Sequence, residues 1–231
     1  MAEFVFSAVE WEALFLTLKL ALFTVAILFA FGLPLAWWLA RYQGPLQSVF
    51  EALITLPLVL PPTVLGFYLL VAFSPDTFLG QAWLGATGTQ FVFSFAGILF
   101  GSVVYSLPFV VQPLLQAFRT SGHQIMDTSQ TLGLSKTKAW FYVLLPAIRP
   151  SMISAATLGF AHTLGEFGLI LMIGGNIPGE TQVVSIALFN QVEMLNYAQA
   201  HTLAAFLLSL SFISLVLLYK FNVRHRPRMG W

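Results

Sequence analysis

The sequence predicts an all-α protein: a polytopic bundle of about five transmembrane helices, with its N-terminus outside and its C-terminus in the cytoplasm. Three observations carry that reading. Hydrophobic residues make up 58% and charged residues only 8% of the 231 positions, against about a quarter charged in soluble chains. Five apolar runs are each long enough to cross a hydrocarbon core of roughly 30 Å as a helix. Nine of the ten basic residues then fall in alternate gaps between those runs.

The runs lie at about 14 to 40, 49 to 73, 91 to 113, 151 to 173 and 197 to 219. Arg41 follows the first run, Arg119, Lys136, Lys138 and Arg149 separate the third from the fourth, and Lys220, Arg224, Arg226 and Arg228 follow the fifth. The remaining gaps hold Glu3, Glu10, Glu12, Asp76, Glu180 and Glu193 and neither Lys nor Arg. By the positive-inside rule the basic gaps are cytoplasmic. Lys19 is the exception, placed early enough in its helix for the stem to snorkel to the outer interface. The whole chain, 1–231, reads as one membrane domain with a polar cytoplasmic loop at 116–150.

The first run follows an acidic rather than a basic segment and is too long for a signal peptide, so it reads as a retained helix. Gly32 and Pro34 suggest a kink in it, and Trp37 with Trp38 an aromatic anchor at the cytoplasmic interface. In the second run Pro57, Pro61 and Pro62 remove backbone donors and must bend or break the helix. Such backbone persists only against protein or a water-filled cavity, so this segment either borders a translocation path or makes a simple packing kink.

The cytoplasmic loop is too polar for lipid but rich in helix-compatible residues. Asp127 suits a helix N-terminus, Thr120 or Ser121 an earlier cap, and Gly133 the left-handed turn that ends a short helix at about 124 to 132. Trp140, Phe141, Val143, Leu144 and Leu145 then form an apolar stretch along the membrane surface before Pro146. Two helices meeting at a glycine make a compact knob.

In the fourth run Glu166 is the acid to be carried inside the membrane, at a cost of about 2.5 to 3.5 kcal/mol on insertion scales if ionised. His162, four residues earlier, would share its helix face and could hydrogen-bond it. Gly159, Gly165, Gly168, Gly174 and Gly175 offer small surfaces for close helix or subunit approach. Either this helix lines a pore, with Glu166, Phe167 and their neighbours at a gate or dimer seam, or Glu166 is a buried structural carboxylate packed round by glycine. The basic tail after the fifth run is a topology determinant and anionic-lipid contact.

Several chemistries are excluded or unsupported. The chain has no cysteine, so neither disulfides nor thiolate metal sites arise. His123, His201 and His225 stand alone, no metal site is expected, and neither H-E-x-x-H nor G-x-S-x-G occurs. No basic stripe suits nucleic acid, and no phosphate-binding loop for ATP is present. Apart from Lys19 no span contains Lys or Arg, so no cationic cage would hold an oxyanion tightly. A conduit needs such weak binding, because a tight site would trap the ion.

Spacing in the loop adds a resemblance. Asp127, Thr128 and Ser129, then Gly133, then nine residues before Val143-Leu144-Leu145-Pro146 resembles the E-A-A, G, I-x-L-P segment by which bacterial ABC-importer permeases grip their ATPases. Thr128 and Ser129 stand where that segment has alanines. PLVLPP at 57–62, TLGEFG at 163–168 and NIPGET at 176–181 are similar to the oxyanion group of these permeases, molybdate permeases first, with sulfate and tungstate permeases close behind. His162 stands where such permeases often have arginine. The resemblance implies a homodimeric, non-catalytic permease in the bacterial cytoplasmic membrane, type I in fold. It also implies two cytoplasmic ABC ATPase subunits and an external oxyanion-binding protein. ATP and Mg would then be held by the partner ATPase and no cofactor by this chain. Asp127, Thr128, Ser129, Gly133, Val143, Leu145 and Pro146 become the ATPase-coupling residues, and Pro61, Pro62, His162, Gly165, Glu166, Phe167 and Gly168 the pore or gate candidates. A stand-alone secondary transporter or channel would show inverted repeats or titratable residues in several helices. An intramembrane enzyme or assembly factor would show a nucleophile and base or a metal motif.

Overall fold

The computed structural model describes residues 6–224, and among them every regular element is a helix. Glu3, His225, Arg226 and Arg228, named above, lie outside the described residues. Three helices are long and apolar enough to cross a membrane on their own, Ala8–Arg41, Phe95–Thr131 and Tyr197–Lys220. Two bent pairs raise the number to five if each is one span.

Helix α1 (Ala8–Arg41) starts earlier than the apolar run because Ser7 and Glu10 form a reciprocal capping box, which satisfies two otherwise orphaned backbone donors. Glu10 is consequently buried, and Gln191 Nε2 and Gln199 Nε2 donate to its carboxylate at 3.3 and 2.7 Å. Lys19 rests its ammonium 4.3 Å above the Phe95 ring. The proline-rich run breaks as expected: α2 (Gln47–Val59) and α3 (Pro62–Ala72) meet at 111°. Leu60 and Pro61 are extended there and Pro62 opens α3, where its missing N–H costs nothing.

Helix α4 (Phe78–Thr87), capped by Thr77, fills a gap that the sequence reading left without structure. Helix α5 (Phe95–Ala117) sits at the centre, packed on α1, α2, α9 (Arg149–Leu164) and α10 (Gly168–Gly174). It does not end at the expected boundary near 113. A π-helical turn, Phe118–Gly122, carries it directly into α6 (His123–Thr131). Asp127 therefore lies within a continuous rod, not at a helix start. Thr120 caps nothing; its hydroxyl donates to the Gln116 carbonyl one turn back at 2.9 Å. Helix α7 (Lys136–Ala139), a π turn at Trp140–Leu144 and α8 (Leu145–Ala147) return the chain to the membrane.

The expected fourth helix is also broken. Glycine 165, Glu166 and Phe167 separate α9 from α10, and the chain re-enters through the 176–183 loop into α11 (Val184–Glu193), whose first turn is buried. Thr181 closes that loop: its hydroxyl donates to the Gly174 carbonyl and accepts from the Ile177 amide. Helix α12 (Tyr197–Arg224) lies outermost, with Leu208, Phe212, Ile213 and Val216 exposed, as lipid-facing residues should be.

Two apolar cores stack along α5. One, toward the end of α5 that leads into α6, gathers Leu39, Val111, Leu114, Phe118, Leu144 and Ile148; the other, toward its start, gathers Leu20, Ile98, Leu169, Ile173 and Ile186. Gly66 joins α3 to α10 within this frame, because a Cβ there would stand 2.7 Å from Met172 Cβ and 3.1 Å from the Leu169 carbonyl oxygen. Only glycine lets the two backbones come so close.

Candidate functional site

The sequence-named residues separate into two groups at different depths. The first is the knob formed by α6, Gly133 and α7. Gly133 has φ +82, the Leu134 amide reaches the Ser129 carbonyl at 3.0 Å, and the Gly133 amide reaches Gln130 at 2.9 Å. These two bonds define a Schellman ending, which needs a left-handed residue at the glycine. Nothing lies within 4 Å of a Cβ built at Gly133, so the requirement is conformational and not one of space. Ser135 then caps α7 through the Lys138 amide.

On the knob's surface Thr128, Ser129 and Val143 line one cavity of about 330 Å³ with Gln124, Ile125, Leu132 and Leu134. Asp127 and Thr128 are exposed, Leu132 is 78% exposed, and Pro146 is exposed at the start of the return to the membrane. Leu145 is half-buried and turned toward the apolar core. Thr128, Ser129 and Val143 therefore share one cavity, Asp127, Gly133 and Pro146 are exposed but do not line it, and Leu145 turns inward.

The knob is fastened by aromatic rings that the sequence reading did not connect. Trp37 meets Phe118 and Trp140 edge to face, with centroids 5.1 and 4.6 Å apart, and Phe118 stacks on Trp140 at 5.6 Å. Trp37, expected with Trp38 as an interface anchor, also seats the knob. Trp38 turns the other way, onto Tyr42 and Phe50. Beside this cluster Arg119 forms a two-pronged ion pair with Glu51 of α2. Glu51 is a second acid within the bounds of an expected span, and the sequence reading passed over it.

The second group lines a cavity of about 520 Å³ bounded by Pro62, Tyr105, His162, Gly165, Glu166, Phe167 and Gly168. Pro61, beside them in sequence, does not line it. The expected hydrogen bond between His162 and Glu166 is absent. Helix α9 tightens at its end, with Gly165 and Glu166 amides bonding three residues back to His162 and Thr163, so Glu166 leaves the helical register that would place it over His162. His162 Nδ1 instead lies 2.9 Å from the Ser106 hydroxyl, and its ring stacks on Phe109 at 4.0 Å.

Glu166 is 4% exposed, and neither carboxylate oxygen has a hydrogen-bond partner. The Ser102 hydroxyl faces it without bonding, while the Glu166 carbonyl accepts from Ser185 at 2.7 Å. A buried carboxyl without partners is costly, so this one is held by the fold. Gly168 packs on Thr63 of α3, where a Cβ would stand 3.2 Å from Thr63 Cγ2, whereas Gly165 meets nothing closer than 3.9 Å. Gly165 therefore serves the cavity by being small and not by letting elements of this chain approach. Ser102 and Ser106, one turn apart in the apolar first half of α5, lie behind the His162 and Glu166 lining and were the available sequence signal for it. Among the described residues no cluster of His, Asp and Glu could hold a metal ion.

Comparison with known proteins adds an independent result. Residues 32–227 match the family model described as "Binding-protein-dependent transport system inner membrane component". The chain is 49% identical over 216 residues to the molybdenum transport system permease protein ModB of Azotobacter vinelandii, covering 91% of this chain and 93% of that one. It is 33% identical over 192 residues to the sulfate transport system permease protein CysT of Escherichia coli K12, covering 83% and 68%. Among solved structures it resembles a bacterial ABC transporter that imports the acidic polysaccharide alginate, at TM-score 0.71 and 17% identity over 97% of this chain and 82% of that one. It also resembles the inward-facing MetNI methionine ABC transporter, at TM-score 0.65 and 17% identity over 93% of each chain. At such identities the structural matches speak for the fold.

Proposed function

The chain belongs to the family of binding-protein-dependent transport system inner membrane components, and from that premise we propose that it is the membrane-spanning permease of an ATP-driven importer of molybdate. The observation that carries the coupling half of this reading is the unbroken path from α5, which borders the 520 Å³ cavity through Tyr105, to α6 in the knob. A force applied to α6 has no loop in which to dissipate before it reaches the cavity. Packed helices of this kind switch between discrete arrangements and do not deform smoothly.

Two copies of the chain form the pore, with N-termini outside. Two cytoplasmic ABC ATPases hold ATP and Mg and engage the exposed Asp127, Thr128, Gly133 and Pro146 and the cavity lined by Thr128, Ser129 and Val143, with Leu145 behind. An external binding protein delivers the oxyanion. The membrane subunit performs no chemistry: the cavity offers the phenol of Tyr105, the His162 ring and the carboxyl of Glu166, and no Lys or Arg. It guides an anion weakly, and selectivity lies with the binding protein. The identity to ModB, higher than that to CysT, supports molybdate over sulfate.

Because the chain lacks cysteine, a single Thr128→Cys variant gives an unambiguous cross-linking handle. It should cross-link to the ATPase in assembled membranes, and reconstituted vesicles should take up molybdate with ATP, tungstate competing better than sulfate. Absence of cross-linking in a transporter that takes up molybdate would sink the assigned docking face, and preferred sulfate uptake would sink the cargo.

A further inference from the structure

A second cavity, of about 340 Å³, lies between the cytoplasmic end of α1 and the start of α7, lined by Trp37, Arg41, Met126, Lys136, Thr137, Trp140 and Phe141. Its composition differs from that of the cavity around Glu166: two cations face an aromatic wall. Arg41 is the last residue of α1, and its guanidinium lies 5.1 Å from the Trp37 ring centroid, a distance at which cation and ring attract. Neither Arg41 nor Lys136 forms an ion pair among the described residues, where the Glu51–Arg119 pair stands alone. Lys136 is also the first residue of α7, where a positive charge opposes the helix dipole. Helix stability therefore does not explain a lysine at this position.

We propose that this cavity binds the phosphate headgroup of an anionic phospholipid of the cytoplasmic leaflet, with Arg41 and Lys136 as its cationic ligands and Trp37 and Trp140 as its interfacial wall. Three features converge on that ligand. Arg41 ends a membrane helix, so the cavity sits at headgroup depth. Tryptophan is the side chain that suits this layer, apolar in body and polar at one edge. The two unpaired cations match an anionic headgroup, and the cytoplasmic leaflet carries the anionic lipid. Phe141, 58% exposed on the same wall, offers apolar surface to the upper acyl chain.

The inference rests on the membrane orientation proposed above but not on the cargo. A bound lipid would brace the aromatic seat from the membrane side, so that the knob's position depends on the bilayer as well as on the ATPase.

Native mass spectrometry of the assembled transporter released from nanodiscs of equal phosphatidylglycerol and phosphatidylcholine provides the test. Wild type should retain phosphatidylglycerol preferentially. The preference should fall roughly tenfold in the double variant R41Q/K136Q and survive in R41K/K136R, which keeps both charges and controls for folding. R149Q removes a cytoplasmic-side charge outside the cavity and should leave the preference intact. Equal retention of the two lipids by wild type, or an equal loss with R149Q, would overturn the site. So would displacement of the lipid by millimolar glycerol phosphate, because the ligand would then be a free phosphate. Molybdate uptake is scored separately, so failure here leaves the transport reading standing.

Discussion

Trp37 and Trp140 meet edge to face with ring centroids 4.6 Å apart, and that contact seats the knob on the first membrane helix. The pair is separated by 103 positions in sequence and closed over by Phe118 and by Gly122, where a Cβ would stand 3.1 Å from Trp37 Cζ3. Edge-to-face aromatic pairs contribute about 0.5–1.5 kcal/mol beyond their buried area. Trp140→Ala should therefore raise amide hydrogen exchange across 123–147 while leaving exchange in α1 and α5 near wild type. Trp140→Phe should restore most of the protection. Uniform loss of protection throughout the membrane helices would show that Trp140 supports the whole bundle and not the knob alone.

Gly133 gives a graded test. Its φ of +82 with open space round the Cβ position means that substitution costs backbone strain, about 1–2 kcal/mol for an ordinary L-residue. Asparagine tolerates this region best and β-branched residues worst. ATPase retained on washed membranes should fall in the order Gly133, Gly133→Asn, Gly133→Ala, Gly133→Val, with permease insertion unchanged. A flat series would remove the glycine from any role in coupling.

How much of this was legible in the sequence depends on separation along the chain. The Schellman glycine and the 111° break at Pro61 and Pro62 were readable because both are set by residues within one turn. The seat of Trp37 was not, since Phe118 and Trp140 come from distant segments and an aromatic pair at a helix end reads equally well as a lipid anchor. The His162 to Glu166 spacing misled for a related reason: a four-residue interval implies a shared face only while the helix continues, and α9 ends at Leu164. Helix α11 was missed because its apolar stretch, Val183–Phe189, is too short to register as a span.

Glu166→Gln separates the two meanings of the buried acid. The amide keeps the shape and removes the penalty of burying an ionisable group that has no partner, so the solubilised variant should melt at the wild-type temperature or higher. If the residue also guides the ion or the gate, uptake should change at unchanged expression. Normal uptake with raised stability would assign Glu166 a packing role only.

The Glu51–Arg119 pair ties α2 to the π turn, with side chains 32% and 28% exposed. A double-mutant cycle with Glu51→Gln and Arg119→Gln should give a coupling of about 0.5–1 kcal/mol that shrinks as salt rises. A coupling that is independent of salt would mean the pair is shielded from solvent in the assembled transporter.

The most direct measurement is ATP-driven uptake of radiolabelled molybdate into vesicles holding this chain, its ATPase and its binding protein, with ATP hydrolysis followed in the same sample. Wild type should import, and Gly133→Val should keep basal hydrolysis on the added ATPase while losing uptake. Full uptake by Gly133→Val, or uptake by wild type with no ATPase present, would contradict a permease driven through this knob.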